Sequence, residues 1–152
     1  MRIVHLPDLA ATQAFGRRLG QRLWAGSVVG LVGELGAGKT QLARAIAEGL
    51  DIADSRIVTS PTFVLVQEYR AWLPIYHFDA YRLKSEAEFA DLGAHEYFES
   101  NGVCLVEWAD RVAGSLPADH LRITLEATGE ASRRATVEGM GEEYQKLVAK
   151  LS

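Results

Sequence analysis

The amino-acid sequence predicts one mixed α/β domain, in which a partly parallel, partly antiparallel sheet lies between two layers of helices. Three observations predict this fold class. The apolar residues 27–32 lead through a glycine-rich turn into an amphipathic segment, as a strand followed by a helix does. Later segments include a continuous apolar run, typical of a parallel strand, and alternating runs, typical of antiparallel strands. The length of 152 residues suits a single domain, which we expect to span residues 1–152.

Composition and charge exclude several classes of protein. The composition, 48% hydrophobic and 24% charged residues, is unlike that of disordered proteins, collagens or coiled coils. Its net charge of −4 disfavours a protein that binds nucleic acid by itself, so we expect any contact with RNA to be indirect. The apolar residues 28–32 are far fewer than the roughly 20 of a membrane span, which predicts no membrane association and a cytoplasmic location. The single Cys104 lies in an apolar run, which predicts a buried, unreactive thiol.

The first fifty residues predict two helices around a short strand. Asp8 can cap the first helix, because its carboxylate can accept a backbone N–H of the first turn. The apolar residues that follow recur every four positions, on one face of a helix; they are Ala11, Phe15, Leu19 and Leu23. Residues 27–32 then predict a buried strand, and residues 39–50 predict a second helix.

A β-hairpin is predicted next. Residues 63–69 and 75–81 are rich in β-branched and aromatic side chains, and the short connection 70–74 separates them. Because side chains alternate across a strand, we expect His77, Asp79 and Tyr81 to share one face.

Two short helices follow the hairpin. Ser85 and Glu88 have the spacing of a capping box and open a helix that Gly93 can close. Residues 95–99 predict another short helical segment.

The remainder of the chain predicts three strands and a final helix. Residues 103–106 are continuously apolar, as in a strand that is covered on both faces. Apolar and polar side chains alternate at 121–125 and 135–137, which predicts a second hairpin with its turn near Gly129. A helix at 142–151 completes the chain.

The glycine-rich turn carries the strongest functional signal. Residues 33–40 read GELGAGKT and match the pattern G-x-x-x-x-G-K-[ST], which begins at Gly33 between a predicted strand and a predicted helix. Glycines let backbone N–H groups close around phosphate oxygens, and the positive end of the helix dipole favours the same anion. Lys39 would neutralise the β- and γ-phosphates, and the Thr40 hydroxyl would bind Mg²⁺. The segment predicts a nucleoside triphosphate site in a P-loop NTPase-like, three-layer fold.

The sequence favours ATP over GTP. Guanine-specific GTPases read the base with an Asn-Lys-x-Asp element, but Asn101 is the only asparagine of this chain and glycine follows it. ATP is therefore expected by exclusion.

Two carboxylates are candidates for the metal and for catalysis. Glu107 ends the buried run 103–106, where a ligand to Mg²⁺, direct or through water, is one interpretation and a surface strand end is the other. Asp79 could support the metal or orient the attacking water, or it could be a structural carboxylate paired with Arg82. His77 is expected to be a hydrogen-bonded structural imidazole. Trp108 could seal the pocket or face a partner.

The segment 59–62, TSPT, lies between the P-loop helix and the first hairpin. It could be a loop that senses the nucleotide, or a plain turn with hydroxyl hydrogen bonds.

Four segments together resemble the TsaE (YjeE) family of bacterial P-loop ATPases. They occur in the order GELGAGKT at 33–40, SPTF at 60–63, HFDAYRL at 77–83 and EW at 107–108. The P-loop alone is common to many families, but the other three segments are far more specific. The resemblance extends over nearly the whole chain.

The resemblance implies a role in making threonylcarbamoyladenosine in tRNA, together with the TsaD and TsaB proteins, with the transfer chemistry belonging to TsaD. It implies that Thr40 and Glu107 bind Mg²⁺ and that Asp79 supports hydrolysis. The residues that would hold the phosphates are Gly36, Ala37, Gly38, Lys39, Thr40 and Gln41. Those that would contact the base are Asp8 or Thr12, and Arg133.

Two residues depart from the family pattern. Many relatives have a second threonine after the P-loop threonine, where this chain has Gln41, and many have proline where it has Ala109. Neither position is one that we expect to neutralise phosphate charge.

These expectations describe a slow, Mg²⁺-dependent ATPase whose hydrolysis resets the TsaD–TsaB assembly between rounds. No arginine finger in cis is evident, so partners should activate turnover. One alternative is a small-molecule kinase, which would usually carry an arginine-rich lid rather than the isolated Arg70 and Arg82. The other is a binding module that uses ATP only to order its surface for a partner.

Overall fold

A computed structural model describes residues 1–59, 66–81 and 83–151 of the chain. Its strands are β1 Arg2–Leu6, β2 Val28–Val32, β3 Val66–Tyr69, β4 Ile75–Asp79, β5 Val103–Glu107, β6 His120–Ala127 and β7 Arg133–Met140. Its α-helices are α1 Leu9–Arg22, α2 Lys39–Gly49, α3 Glu86–Asp91, α4 Ala94–Phe98 and α5 Glu142–Lys150, and two 3₁₀ segments cover Ser55–Ile57 and Ala109–Ser115.

The strands form one seven-stranded mixed sheet with the order β1-β7-β6-β2-β5-β4-β3. Its centre is parallel, since β2 pairs in parallel with β5 and β6, and β4 pairs in parallel with β5. The outer pairs β1–β7, β6–β7 and β3–β4 are antiparallel. The predicted mixture of parallel and antiparallel strands is confirmed. The carboxyl ends of β2, β4 and β5 meet at one edge, where ligands bind in α/β folds.

Two hydrophobic cores cover the two faces of the sheet. One core includes Phe15 of α1, Leu42 of α2 and Leu147 of α5. The other includes Phe89 of α3 and Phe98 of α4, together with the 3₁₀ segment after β5. The predicted three-layer arrangement is confirmed.

Short-range sequence patterns correctly predicted several helix ends. The Asp8 carboxylate accepts the Ala11 N–H at 2.8 Å and caps α1. The Ser85 hydroxyl accepts the Glu88 N–H at 3.3 Å at the start of α3, and Gly93 follows that helix with φ +79°. These short-range hydrogen bonds depend on neighbouring residues only, so the sequence suffices to predict them.

Some predicted boundaries differ from the observed ones. Helices α2 and α5 each end one residue earlier than predicted, α4 begins and ends one residue earlier, and β5 extends one residue further to include Glu107. The predicted residues 63–65 of the first hairpin lie outside the described residues. Helix ends shift easily by a residue or two, because terminal turns are weakly held.

The prediction that Tyr81 shares a strand face with His77 and Asp79 is wrong. β4 ends at Asp79, whose carboxylate accepts the Tyr81 N–H at 2.9 Å and so turns the chain out of the strand. The Tyr81 ring instead packs against Trp108 with a centroid separation of 4.8 Å.

Strand β1 was not predicted. It is an edge strand in which Leu6 is buried while Ile3 is 51% exposed, and it pairs with β7 across more than a hundred residues of sequence. A short, half-exposed segment becomes a strand here because β7 offers it hydrogen-bonding partners.

Cys104 lies buried on β5, and burial raises the pKa of its thiol to about 12. This agrees with the expectation of an unreactive thiol, because the thiolate is the reactive form.

No helix in the described part of the chain is both long enough and apolar enough to cross a membrane.

Helices α1 and α2 cross in close contact through glycines. A Cβ atom at Gly20 would overlap the Ile46 carbonyl oxygen, and one at Gly49 would overlap the Arg17 carbonyl oxygen. This contact fixes α2, and therefore the residues at its amino end, against the rest of the fold.

We expect Gly20→Ala to lower the free energy of unfolding by about 2 kcal/mol, because the methyl group would force the two helices apart. Alanine is otherwise the better helix former, so helix propensity alone would raise the free energy of unfolding of Gly20→Ala. Gln21→Ala, at an exposed neighbouring position of α1, is the control. Urea unfolding of both variants measures the effect, and a stabilised Gly20→Ala would contradict the close contact.

Candidate functional site

The glycine-rich loop lies between β2 and α2, at the edge of the sheet where the parallel strands end. A Cβ atom at Gly33 would lie 2.7 Å from the Leu125 carbonyl oxygen, so only glycine fits between the loop and β6. Gly38, with φ +100°, is the N-cap of α2 in a left-handed conformation that favours glycine. Packing at Gly33 and backbone conformation at Gly38 therefore both favour glycine in this loop.

Lys39 is 5% exposed and lies under the loop. Its Nζ donates to the carbonyl oxygens of Gly33, at 2.6 Å, and Glu34, at 2.9 Å, and lies 4.0 Å from the ring centroid of Trp108. Burial lowers the pKa of Lys39, while surrounding carboxylates, Glu107 foremost, act in the opposite direction. An anion at the loop would raise this pKa and favour the charged amine.

Glu107 is 2% exposed, and its carboxylate is hydrogen-bonded from two sides. The Thr40 hydroxyl donates to Glu107 Oε1 at 3.2 Å, and His77 Nε2 lies 2.5 Å from Glu107 Oε2. The hydroxyl of Tyr69 is 3.2 Å from His77 Nδ1. An ionised Glu107 carboxylate can only accept, and His77 Nε2 is the donor in that arrangement. Both imidazole nitrogens are hydrogen-bonded, which agrees with the expected structural role of His77.

Asp79 ends β4 beside Glu107. The two residues are partners in the parallel register of β4 and β5, and the Ala80 N–H donates to the Glu107 carbonyl oxygen at 3.1 Å. Asp79 is 7% exposed and is among the carboxylates that act on the charge of Lys39. The structure thus brings both predicted carboxylates to the edge where the loop lies. Arg82, the alternative partner of Asp79, lies outside the described residues.

Trp108 forms a wall of the site. Its φ of +59° is unusual for a bulky residue and turns the chain directly after Glu107. The ring lies between Lys39, on which it makes a cation–π contact, and Tyr81. Of the two expectations for Trp108, the structure supports a part in closing the pocket.

Two adjacent clefts open around the loop. The larger has a volume of about 330 Å³ and is lined by Leu35, Gly36, Gly38, Lys39, Thr40, Gln41, Glu107, Trp108 and Arg133. The second has a volume of about 240 Å³ and is lined by Leu9, Thr12, Gly38, Gln41, Glu130, Ala131 and Arg133. The clefts share the residues at which the loop joins α2, so a ligand with a phosphate part and a second part could occupy both.

Asp8 and Thr12, the two candidates for a base contact at the start of the first helix, differ in their positions relative to the clefts. Thr12 lines the second cleft, whereas the Asp8 carboxylate is engaged as the cap of α1. Arg133 lines both clefts, although 96 positions separate it from Ala37 in the loop. Residues 60–62 of the predicted sensing segment lie outside the described residues.

Sequence reasoning did not single out Tyr69 for the site. It sits on β3, and its contact with His77 arises only when β3 and β4 pair, with Gln67 opposite His77 and Tyr69 opposite Ile75. No motif carries such a cross-strand contact.

Comparison with known proteins identifies the family. The sequence model described as "Threonylcarbamoyl adenosine biosynthesis protein TsaE" matches residues 6–135. The chain belongs to the TsaE family. It is 46% identical over 128 residues to the "tRNA threonylcarbamoyladenosine biosynthesis protein TsaE" of Bacillus subtilis, which covers 84% of this chain and 78% of the relative. A protein of the same name from Treponema pallidum is 43% identical over 126 residues, covering 83% of this chain and 92% of the relative.

A solved structure supports the same assignment. The crystal structure of YdiB from Bacillus subtilis matches with a TM-score of 0.81 and 34% sequence identity, covering 99% of this chain and 93% of that one. The resemblance to the TsaE family that the four sequence motifs predicted is confirmed.

We expect His77→Leu in this TsaE-family chain to lower the free energy of unfolding by about 3 kcal/mol, because the buried Glu107 carboxylate would lose its imidazole donor. His95→Leu is the matched control, since His95 also pairs with a glutamate, Glu99 at 3.1 Å, but both side chains are exposed. That pair should contribute little. Chemical unfolding of both variants tests this, and equal losses would contradict the importance of the buried pair.

Proposed function

We propose that this chain is a slow, Mg²⁺-dependent ATPase that supports the formation of threonylcarbamoyladenosine in tRNA. The observation that carries the proposal is the meeting of Lys39, Thr40 and Glu107 beneath a glycine-rich loop, with Thr40 and Glu107 joined by a hydrogen bond across 67 positions of sequence. Membership of the TsaE family supports the role in tRNA modification.

The triphosphate would lie in the larger cleft. The loop and Lys39 offer backbone N–H groups and a buried positive charge, the combination that favours phosphate oxygens. The base would extend into the second cleft, beside Thr12 and Gln41. The absence of a guanine-reading element supports ATP as the nucleotide.

Thr40 and Glu107 would hold Mg²⁺. Their hydroxyl and carboxylate oxygens are the donors that this cation prefers, and Mg²⁺ commonly takes one or two protein ligands together with phosphates and waters. When bound, Mg²⁺ would offset phosphate charge.

Asp79 is suited to act on the attacking water. In hydrolysis the water oxygen bonds to the γ-phosphorus, the bond from that phosphorus to the bridging oxygen of ADP breaks, and a proton leaves the water. A buried carboxylate beside Glu107 can orient the water and accept that proton. Lys39 would offset charge on the phosphate oxygens.

Partners would accelerate this reaction. Arg133 lines the phosphate cleft, but its Nε and both Nη atoms donate to main-chain carbonyl oxygens. Its engagement supports slow turnover by the isolated chain, because a stabilising arginine is worth about 10³ to 10⁵ in rate in related reactions. We propose that binding to TsaD and TsaB activates hydrolysis and that hydrolysis resets their complex.

A single-turnover assay tests this function. We expect slow ADP formation by the chain alone and an increase of at least about tenfold with TsaD and TsaB, in keeping with the effect of supplied transition-state contacts. Lys39→Ala should abolish the reaction in both conditions. Tight ATP occupancy without ADP formation would favour the binding module instead, and phosphate transfer to a small hydroxyl compound would favour a kinase.

Glu107→Gln tests the metal role. The amide keeps the size of the side chain but loses its negative charge, so the gain in ATP affinity on adding Mg²⁺ should shrink by about tenfold or more, while ATP affinity in EDTA should hold or rise. Calorimetric titration with and without Mg²⁺ measures both. Glu126→Gln, at an exposed position of β6, is the control. A wild-type Mg²⁺ dependence in Glu107→Gln would contradict the assignment.

A further inference from the structure

A loop that directs its N–H groups toward an anion must turn carbonyl oxygens the other way, and those oxygens need donors of their own. In this chain two cations supply them. Lys39 serves the carbonyls of Gly33 and Glu34, at the start of the loop. Arg133 serves two carbonyls further along the loop, beyond Leu35: its Nε donates to Ala37 O at 2.8 Å, and its Nη2 donates to Gly36 O at 3.3 Å.

We propose that Arg133 is a positioning residue that clamps the phosphate loop in its anion-binding shape, rather than a residue that reads the base. The inference rests on the proposed function in one respect, namely that the loop binds a phosphate chain. It departs from the expectation, based on the family resemblance, that Arg133 contacts the base.

The guanidinium is anchored at its other end in the β6–β7 turn. Nη1 donates to the carbonyl oxygens of Ser132 at 2.8 Å, Gly129 at 3.2 Å and Glu130 at 3.3 Å. Arg133 is the first residue of β7, so its backbone is fixed in the sheet at the same time. The side chain therefore ties the loop to a rigid element that is distant in sequence.

The loop is shaped to receive this side chain. A Cβ atom at Gly38 would lie 3.5 Å from Arg133 Nε, so the guanidinium lies close over a glycine whose φ is +100°. The planar fork of arginine can donate to Gly36 and Ala37 on one side and to the turn on the other, which a lysine ammonium cannot do.

The neighbouring arginine, Arg134, has a different partner from Arg133. Arg134 has the same chemistry and also sits on β7, but its Nη2 donates to Glu126 Oε2 at 2.8 Å on an exposed part of the sheet. Side chains alternate across a strand, so Arg133 and Arg134 point to opposite faces. Arg134 is thus a matched control.

The two roles of Arg133 have different consequences. A clamp acts through the shape of the loop, so its loss weakens every ligand with a phosphate chain equally, and it loosens the loop even when nothing is bound. A base contact affects only ligands that carry the base and leaves the free loop unchanged.

Amide hydrogen exchange in the nucleotide-free protein provides the first test. In Arg133→Met the amides of residues 33–41 should exchange at least about tenfold faster than in the wild type, the equivalent of losing one charge-assisted hydrogen bond. Arg134→Met should leave them unchanged. If Arg133→Met fails to fold, Arg133→Lys is used, and the same acceleration is expected because the fork is lost while the charge remains. Unchanged exchange in these amides would overturn the proposal.

Affinity for ATP and for inorganic tripolyphosphate, both with Mg²⁺, provides the second test. Arg133→Met should weaken both ligands by the same factor of about ten, as measured by calorimetry, while Arg134→Met should weaken neither. A loss confined to ATP would identify a base contact and overturn the clamp. If the wild-type chain bound neither ligand, the proposed function would fail, and the exchange experiment would still decide whether Arg133 holds the loop.

Discussion

The hydrogen bond between His77 and Glu107 is the interaction on which the site depends. It joins the middle of β4 to the end of β5 and holds a carboxylate that is almost wholly buried. A buried carboxylate requires donors, and here imidazole on one side and the Thr40 hydroxyl on the other supply them. The donor from Thr40 belongs to the first turn of α2, so the same carboxylate relates the two strands to the P-loop helix. Tyr69 extends this chain of hydrogen bonds to the edge of the sheet.

The glycine-rich loop is held by hydrogen bonds to its carbonyl oxygens and by close packing. Lys39 and Arg133 together serve the carbonyls of four loop residues, and the close contact of Gly33 with β6 limits how the loop can move. A loop that is already ordered loses less conformational entropy when a ligand binds. Lys39 supports the loop from below, and in the proposed function its charge would also attract phosphate.

Much of this molecule was predictable because its strongest signals are local. The P-loop motif, the helix caps at Asp8 and Ser85, and the buried run before Glu107 each depend on residues that are adjacent in sequence or one helical turn apart. Strand β1 was missed because its stability comes from pairing with β7. Tyr81 was placed on the wrong face because alternation along a strand says nothing about where the strand stops, and the Asp79 side chain decides that.

The sequence by itself determined the fold class, the family and the chemical identity of the candidate site, because residue type and short-range spacing are enough to specify a glycine-rich phosphate loop and an acid at a strand end. Only the tertiary structure decided which groups meet. Strand order and register bring Thr40 against Glu107 and Tyr69 against His77. They also direct Arg133, but not Arg134, to the loop. Those relations involve residues far apart along the chain, and packing alone brings them within hydrogen-bonding distance.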